Sequence, residues 1–180
     1  TGKAQLTKVS TEPAISDANG NYSLEHGVFA AFDGQSAAEA ASRQAQNGAW
    51  GTWEEARAWA DQNASFTFVT DSDGASNVVE DIEAGTYYVA ELFAPPGFRL
   101  APSVQALAVE ATSDAEAISS LVFEDVPQQG SIDLLKQSNY PELTGNNPGY
   151  TLAGATYGIY RDEACTQLAR ELRTDLTAEG

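Results

Sequence analysis

The sequence predicts an all-β protein: an antiparallel β-sandwich with a short helical insertion, followed by the start of a second such domain. Short runs of alternating apolar and polar residues are separated by turn residues, as in antiparallel sandwiches. Residues 1–32 align without a gap on residues 129–160, which indicates a repeated module. Alanine-rich sequence behind capping-box motifs occurs in one segment, so helices are expected only there.

The repeat has a spacing of 128 residues, since Lys8 aligns with Lys136 and 136 − 8 = 128. The same spacing relates other identical pairs: Gly2 and Gly130, Leu6 and Leu134, Pro13 and Pro141, Tyr22 and Tyr150, Leu24 and Leu152. In both copies the lysine is expected on the apolar side of an alternating strand. We therefore predict a first domain over residues 1–127 and the first half of a second, incomplete domain over residues 128–180.

The strands of the first domain follow in chain order from alternation and turn residues. They are expected at residues 4–8, 28–32, 65–70, 78–82, 85–93, 105–110 and 120–126, of which 78–82 is short and ambiguous. Asp71 to Gly74 is expected to form a turn. Its two aspartates match half of a calcium-binding loop, but the later ligands of such a loop are absent, so no metal site is predicted.

The helical insertion covers about residues 33–65, and its helices are expected near 37–47 and 53–62. Ser36 and Thr52 begin capping boxes with the glutamates three residues later, and Gly48 can end the first helix. The insertion contains the three tryptophans, Trp50, Trp53 and Trp59. Either they pack the helices onto the sandwich or they present an aromatic surface to a ligand, and the usual burial of tryptophan favours packing.

The composition argues against several classes of function. A net charge of −17 and a pI near 4.1 disfavour nucleic acid and anionic membranes as partners. Cys165 is the only cysteine, so neither an intrachain disulfide nor a thiolate metal cluster can form, and no cofactor is predicted. The only histidine, His26, is expected in a turn, which makes a hydrolytic triad implausible. No run of residues is long enough to span a bilayer, so no membrane insertion is expected in this sequence.

Lys8, Glu91 and Asp125 each alternate with apolar residues on one face of a predicted strand. Removal from water favours neutral amines and protonated carboxyls over their charged forms. A neutral amine is a nucleophile, and a protonated carboxyl polarised by a second one is an electrophile. The expected product is an amide between the Lys8 and Asp125 side chains, formed with loss of water. The alternative is a buried salt bridge without a covalent bond.

Four stretches carry a family resemblance: residues 2–8, 22–29, 85–98 and 123–127. In the third, Gly-Thr-Tyr-Tyr-Val-Ala-Glu ends at Glu91 and is followed by Ala-Pro-Pro-Gly-Phe at residues 94–98. These motifs resemble the Cna B-type repeat domains, which are SpaA-like or prealbumin-like domains of Gram-positive, cell-wall-anchored surface proteins and pilins. The resemblance implies an immunoglobulin-like sandwich with an intramolecular isopeptide bond.

By this resemblance Lys8 is the amine donor, Asp125 the acyl acceptor and Glu91 the catalytic proton shuttle. Lys136 is the corresponding crosslink lysine of the second copy, for which this sequence contains no counterparts of the two carboxyls. The resemblance implies an extracellular structural or adhesive module that catalyses nothing beyond its own crosslink. Its partners would be neighbouring pilin subunits, or a host matrix protein or glycan. The alternative function is recognition of such a host ligand through the helical insertion.

Overall fold

Two separate units make up the chain, Thr1–Gln129 and a second that begins at Gly130. The structure, a computed structural model, describes residues 1–114 and 116–175. The division lies two residues after the expected domain boundary at residue 127. The interpretation of the second unit as the first half of a repeated domain stays a prediction.

Strands of the first unit form two sheets within the described residues. One has the order β4-β1-β7 and the other has the order β3-β2-β5-β6. The strands are β1 (Gly2–Ser10), β2 (Val28–Phe32), β3 (Phe66–Val69), β4 (Val79–Ile82), β5 (Gly85–Phe93), β6 (Gln105–Val109) and β7 (Ser119–Asp125). Each of the seven runs expected from alternation thus overlaps a strand, including the ambiguous run at residues 78–82.

The prediction of a purely antiparallel sandwich is wrong, because β1 and β7 pair in parallel over Ala4–Ser10 and Ser119–Asp125. The other pairs, β1 with β4, β2 with β3, β2 with β5 and β5 with β6, are antiparallel. The sheet that contains β1 is therefore mixed. Alternation indicates which face of a strand is buried, but it does not specify the direction of the neighbouring strand.

Strand β2 is covered on both faces, which explains its continuous apolar sequence Val-Phe-Ala-Ala-Phe. Phe29 and Ala31 belong to the core between the two sheets, together with Leu6, Phe68, Val89 and Phe123. Val28, Ala30 and Phe32 point the other way, into a second core under the helical insertion. The second core also contains four buried alanines of the insertion: Ala38, Ala41, Ala56 and Ala60.

The insertion forms two helices, α2 (Gln35–Gln46) and α3 (Trp53–Asn63). The cap expected at Thr52 is confirmed, since its hydroxyl accepts a hydrogen bond of 3.3 Å from the Glu55 amide. The cap expected at Ser36 is wrong: α2 begins after Gly34, without a side-chain cap. Gly48 has φ +73° directly after α2, the left-handed conformation that ends a helix.

Helical turns also occur outside the insertion, contrary to the expectation. α1 (Pro13–Ser16) and α4 (Pro141–Thr144) each span four residues and each begins with a proline. Proline is favoured in the first turn of a helix because its fixed φ suits the helix and its missing N–H has no partner there. The two turns occupy equivalent positions of the 128-residue repeat, since 141 − 13 = 128.

The second unit contains an antiparallel hairpin of β8 (Thr156–Tyr160) and β9 (Leu168–Arg173). The strand expected to carry Lys136 is absent from the described residues, and Ile132 and Leu135 are 62% and 69% exposed. In the first unit the equivalent strand pairs with β4 and β7. Among the described residues of the second unit there is no counterpart of either partner, so this segment forms no strand pair within them.

No helix in the described ranges has both the length and the apolar character needed to cross a membrane.

Candidate functional site

Adjacent parallel strands bring Lys8 and Asp125 to one face of a sheet. In the register of β1 and β7, Lys8 lies opposite Phe123 and Ser10 lies opposite Asp125. Side chains two residues apart on a strand share a face, so Lys8 and Asp125 are diagonal neighbours. Nζ of Lys8 contacts Oδ2 of Asp125.

Glu91 reaches the same point from the second sheet, where it lies on β5 opposite Phe29. Its Oε1 accepts a hydrogen bond of 2.7 Å from Lys8 Nζ. The side chains of Lys8 and Glu91 are 0% exposed, and Asp125 is 1% exposed. The three residues singled out in the sequence therefore meet in the interior, between the two sheets.

Aromatic rings surround the amine. Nζ of Lys8 lies 5.3 Å from the centroid of the Phe29 ring, within the range of a cation–π contact. The Phe29 and Phe123 rings pack with their centroids 4.9 Å apart. These rings close the site to water, and their low polarity strengthens electrostatic interactions inside it.

Burial dominates the electrostatics of both carboxyls. Loss of solvation raises the pKa of Glu91 to about 8, although the attraction of Lys8 opposes this rise. Loss of solvation also raises the pKa of Asp125, again against the attraction of Lys8. Near neutral pH the site therefore favours a protonated carboxyl next to the amine.

The Asp125 carboxyl is poorly satisfied. Although Oδ2 touches Lys8 Nζ, neither oxygen of Asp125 has a partner with hydrogen-bond geometry among the described residues. A buried carboxylate without hydrogen bonds is costly, so this environment disfavours the ionised group. A protonated Asp125 beside an uncharged amine is the arrangement from which an amide can form.

The tryptophans of the insertion pack onto the sandwich, as the usual burial of tryptophan favours. Trp50, Trp53 and Trp59 all border the second core and are partly buried. The Trp50 and Trp59 rings lie 5.0 Å apart, and the His26 ring stacks on Trp53 at 4.4 Å. His26 itself has φ +70°, consistent with its expected place in a turn.

Other positions noted in the sequence lie apart from the site. Asp71 forms a turn, because its Oδ1 accepts hydrogen bonds from the amides of Asp73 and Ala75. Cys165 is an exposed free thiol. Within residues 1–114 and 116–175, no cluster of three or more His, Cys, Asp or Glu side chains is placed to hold a metal ion.

One contact of Glu91 could not be predicted from the sequence. The backbone N–H of Ala101 donates a hydrogen bond of 2.6 Å to Oε2 of Glu91. A backbone donor has no residue-type signature, because every residue except proline carries one. The Ala-Pro-Pro-Gly motif at residues 94–97 marks the start of this loop but not the amide within it.

Comparison with known families places the fold. The SpaA family of prealbumin-like fold domains matches residues 16–120. The chain belongs to this family. The matched residues include Glu91 but neither Lys8, which precedes them, nor Asp125, which follows them. The match therefore identifies the domain independently of the Lys8 amine and the Asp125 carboxyl. No protein of curated function matches the sequence significantly.

Several solved structures are similar to this SpaA-family chain at low identity. The TIE protein of Bacillus anthracis is 14% identical, covers 97% of this chain with 24% of its own length, and has a TM-score of 0.47. GBS52, the minor pilin of Streptococcus agalactiae, is 15% identical, covers 75% of this chain with 48% of its own, and has a TM-score of 0.42. The pilus 2b backbone protein of group B streptococcus is 20% identical over 70% of this chain and 41% of its own, with a TM-score of 0.40. The present chain thus spans less than half of each.

Proposed function

We propose that the first unit is a structural module of a Gram-positive surface protein or pilin, closed on itself by an amide between Lys8 and Asp125. The observation that carries this proposal is the fully buried contact of one amine with two carboxyls. Membership of the SpaA family supports a role at the cell wall, outside the cell. Neighbouring subunits of a surface polymer are the partners that such a module would have.

The reaction needs no co-reactant. The lone pair of a neutral Lys8 Nζ attacks Cγ of protonated Asp125, while Glu91 polarises the carbonyl through a hydrogen bond. The C–N bond forms and the C–OH bond breaks. The proton that nitrogen loses passes through Glu91 to the departing hydroxyl, which leaves as water. Glu91 ends with the protonation it began with, so it acts as a catalyst for a single turnover.

Amide formation removes the unfavourable desolvation of the buried charges at the site. A buried ion pair loses solvation on both partners, and its mutual attraction often fails to compensate. An amide is neutral and needs fewer hydrogen bonds than a carboxylate, which suits the unsatisfied oxygens of Asp125. The bond would also join β1 to β7, so that the two strands could not separate under load or during proteolysis.

Intact mass spectrometry of the wild type and four variants tests this proposal. The wild type should be lighter than its sequence by one water, whereas Lys8→Met, Asp125→Ala and Glu91→Gln should have their full mass. Lys3→Met is the matched control, because Lys3 lies on the same strand but pairs with Glu80 at the surface. A wild type of full mass would exclude the crosslink. A Lys3→Met protein of full mass would show that the crosslink requires Lys3, contrary to the proposal.

Lys136 is the amine of the second unit that corresponds to Lys8. Its Nζ lies 5.7 Å from the Tyr157 ring centroid and donates a hydrogen bond of 3.0 Å to the Tyr157 hydroxyl. Tyr157 aligns with Phe29, since 157 − 29 = 128, so the pairing of amine and ring recurs. Among the described residues no carboxylate forms an ion pair with Lys136, so it would react only with a carboxyl from elsewhere. Loss of a second water would show that it reacts within this sequence.

Ligand binding through the insertion is the second candidate function. It is favoured by the partial exposure of Trp50, Trp53 and Trp59, which leaves aromatic surface beside the helices. Binding of a host matrix protein or glycan there should change tryptophan fluorescence on titration. Trp53→Phe should weaken binding, and Tyr140→Phe, in the second unit, is the control. Unchanged binding after Trp53→Phe would exclude the Trp53 surface.

A further inference from the structure

Glu91 uses its two oxygens in different ways. Oε1 faces the Lys8 amine at 2.7 Å, whereas Oε2 accepts the Ala101 N–H at 2.6 Å. A backbone amide can only donate, so the oxygen that it faces is held as an acceptor. The proton of a neutral Glu91 is thereby directed to Oε1, the oxygen next to the reacting nitrogen.

The loop that carries Ala101 also holds the strand that carries Asp125. This loop, residues 94–104, joins β5 to β6. The Arg99 amide donates to the Val126 carbonyl at 3.0 Å, and the Gln128 amide donates to the Gly97 carbonyl at 2.7 Å. One short loop therefore fixes the proton shuttle and, through the residues directly after it, the acyl group.

Tyr22 packs against this loop and hydrogen-bonds to the segment that follows β7. Its hydroxyl donates a hydrogen bond of 2.7 Å to the Gln128 carbonyl, and its ring packs edge to face on Phe98 at 5.6 Å. Gly97 has φ +87°, and a Cβ there would lie 2.6 Å from both the Asn21 carbonyl oxygen and the Tyr22 ring. Only glycine fits this close approach, so the segment around Tyr22 packs directly against the backbone of the loop at Gly97.

We infer that the Ala101 amide and Tyr22 are positioning groups for the crosslinking reaction: the amide keeps the exchangeable proton of Glu91 on Oε1, the oxygen beside the reacting groups, and Tyr22 holds the loop that carries the amide against the strand of Asp125. This inference rests on the proposed amide bond and adds to it the groups that set its rate. Neither group touches the reacting nitrogen or carbon. Both act through Glu91 or through the backbone next to Asp125.

The positioning role of the Ala101 amide should be visible in the pH dependence of the reaction rate. The charged groups that face Glu91 are Lys8 on β1 and Asp125 on β7, and the hydrogen bond from Ala101 opposes the rise in its pKa caused by burial. Without that bond Glu91 keeps its proton to higher pH. The alkaline limb of the rate profile, where Glu91 loses its proton, should then move to higher pH while the maximal rate falls. A merely structural defect would lower the rate without moving the limb.

The experiment starts from protein that has not reacted. Chains of this sequence recovered in urea from insoluble expression, and shown by intact mass to retain the water, are diluted into buffers from mildly acidic to alkaline pH, and loss of water is timed by intact mass. Ala101→Pro removes the N–H, and Ala101→Ser is the matched control that keeps it. Tyr22→Phe removes the hydroxyl but keeps the ring. Circular dichroism of each refolded protein verifies that the sandwich has formed.

The expected results distinguish this inference from the proposed function. Ala101→Pro should lose water at least about tenfold more slowly than Ala101→Ser, and the alkaline limb of its pH–rate profile should lie at higher pH. Tyr22→Phe should show a smaller change in the same direction. A wild type that never loses water overturns the amide bond itself. If the wild type reacts, and Ala101→Pro and Tyr22→Phe have the same rate and the same alkaline limb of the pH profile as Ala101→Ser, only the positioning role is overturned. If Ala101→Pro does not fold, Tyr22→Phe alone decides.

Discussion

At the scale of single residues, three ionisable side chains without access to solvent carry the proposed crosslink. Lys8, Glu91 and Asp125 are each desolvated, and desolvation penalises every charged form. Proteins tolerate such clusters where the groups pair or react. The raised pKa values of both carboxyls favour the protonated forms that amide formation requires.

Replacing Lys8 by methionine should make stability fall as pH rises. Without the amine both carboxyls lose the attraction that opposes desolvation, so their pKa values rise further. A carboxyl whose pKa is raised on folding binds its proton more tightly in the folded state. The free energy of unfolding should be greatest below pH 3.8, under the ordinary pKa values of both carboxyls, and should be lost as pH rises to about 8 and beyond.

Urea denaturation across pH measures this effect, with an expected slope of about 1.4 kcal/mol per pH unit for each carboxyl. Adding Glu91→Gln to Lys8→Met is the control, because removal of one carboxyl should halve the slope. Stability of Lys8→Met that does not vary over this pH range would show that the carboxyls are solvated.

Much of this site could be predicted from the sequence, and the reason is local. Alternation on a strand fixes which side chains share a face, so Lys8 could be placed beside Leu6 and Asp125 beside Phe123. The Ala101 amide could not be predicted, because its position depends on how the loop after β5 folds back. The pairing of β1 with β7 in parallel is likewise a property of the chain path and not of either strand.

At the scale of elements, the edge strand β3 is protected by a side chain from outside the sheet. Asn77 accepts from the Val69 amide at 2.8 Å and donates from its side-chain nitrogen to the Thr67 carbonyl at 3.2 Å. These are the bonds that a further strand would make. An unprotected edge is a site of aggregation, so Asn77 serves as a cover for β3.

Asn77→Ala should therefore lower the free energy of unfolding by about 1–2 kcal/mol and increase association between chains. Asn77→Asp is the matched variant: it keeps the acceptor for the Val69 amide but loses the donor to Thr67, so its loss should be smaller. Denaturation and light scattering measure the two effects. An Asn77→Ala protein with wild-type stability and no association would show that the edge needs no cover.

The helices of the insertion illustrate how far local motifs reach. Both helices were expected from alanine-rich sequence, and the Thr52 cap forms because its hydroxyl faces the Glu55 amide. The Ser36 motif fails, since α2 begins two residues earlier than expected, at Gln35, and the Glu39 carboxylate instead accepts a hydrogen bond from the Gln35 side chain. A capping motif specifies a helix start only when its first residue is itself non-helical, as Thr52 is and Ser36 is not.

At the scale of the whole molecule, the two units differ in how much they bury. The first unit has two apolar cores, whereas no described residue of the second unit is buried. The sequence repeat predicted one domain and the first half of a second, and the equivalence of the repeated residues holds for the turn at Pro141 and for the amine and ring of Lys136 and Tyr157. It fails for the strand around Lys136, whose stability depends on partners far away in sequence.

Limited proteolysis should therefore remove the second unit first. Trypsin cleaves segments that unfold locally, and Lys136, Arg161 and Arg170 lie in the second unit, none of whose described residues is buried. The stable product should run from Thr1 to Lys136, as measured by mass. Early cleavage at Arg43 or Arg57, on the packed helices of the insertion, would contradict this difference between the units.

The proposed amide between Lys8 and Asp125 is tested most directly by peptide mapping of the denatured protein. Without the bond, trypsin should release residues 4–8, 9–43 and 100–136 as separate peptides. With the bond, cleavage after Lys8 is blocked, and residues 4–43 should appear joined to residues 100–136, lighter by one water, with fragment ions that place the branch at Lys8 and Asp125. Recovery of the three separate peptides at full mass would contradict the account.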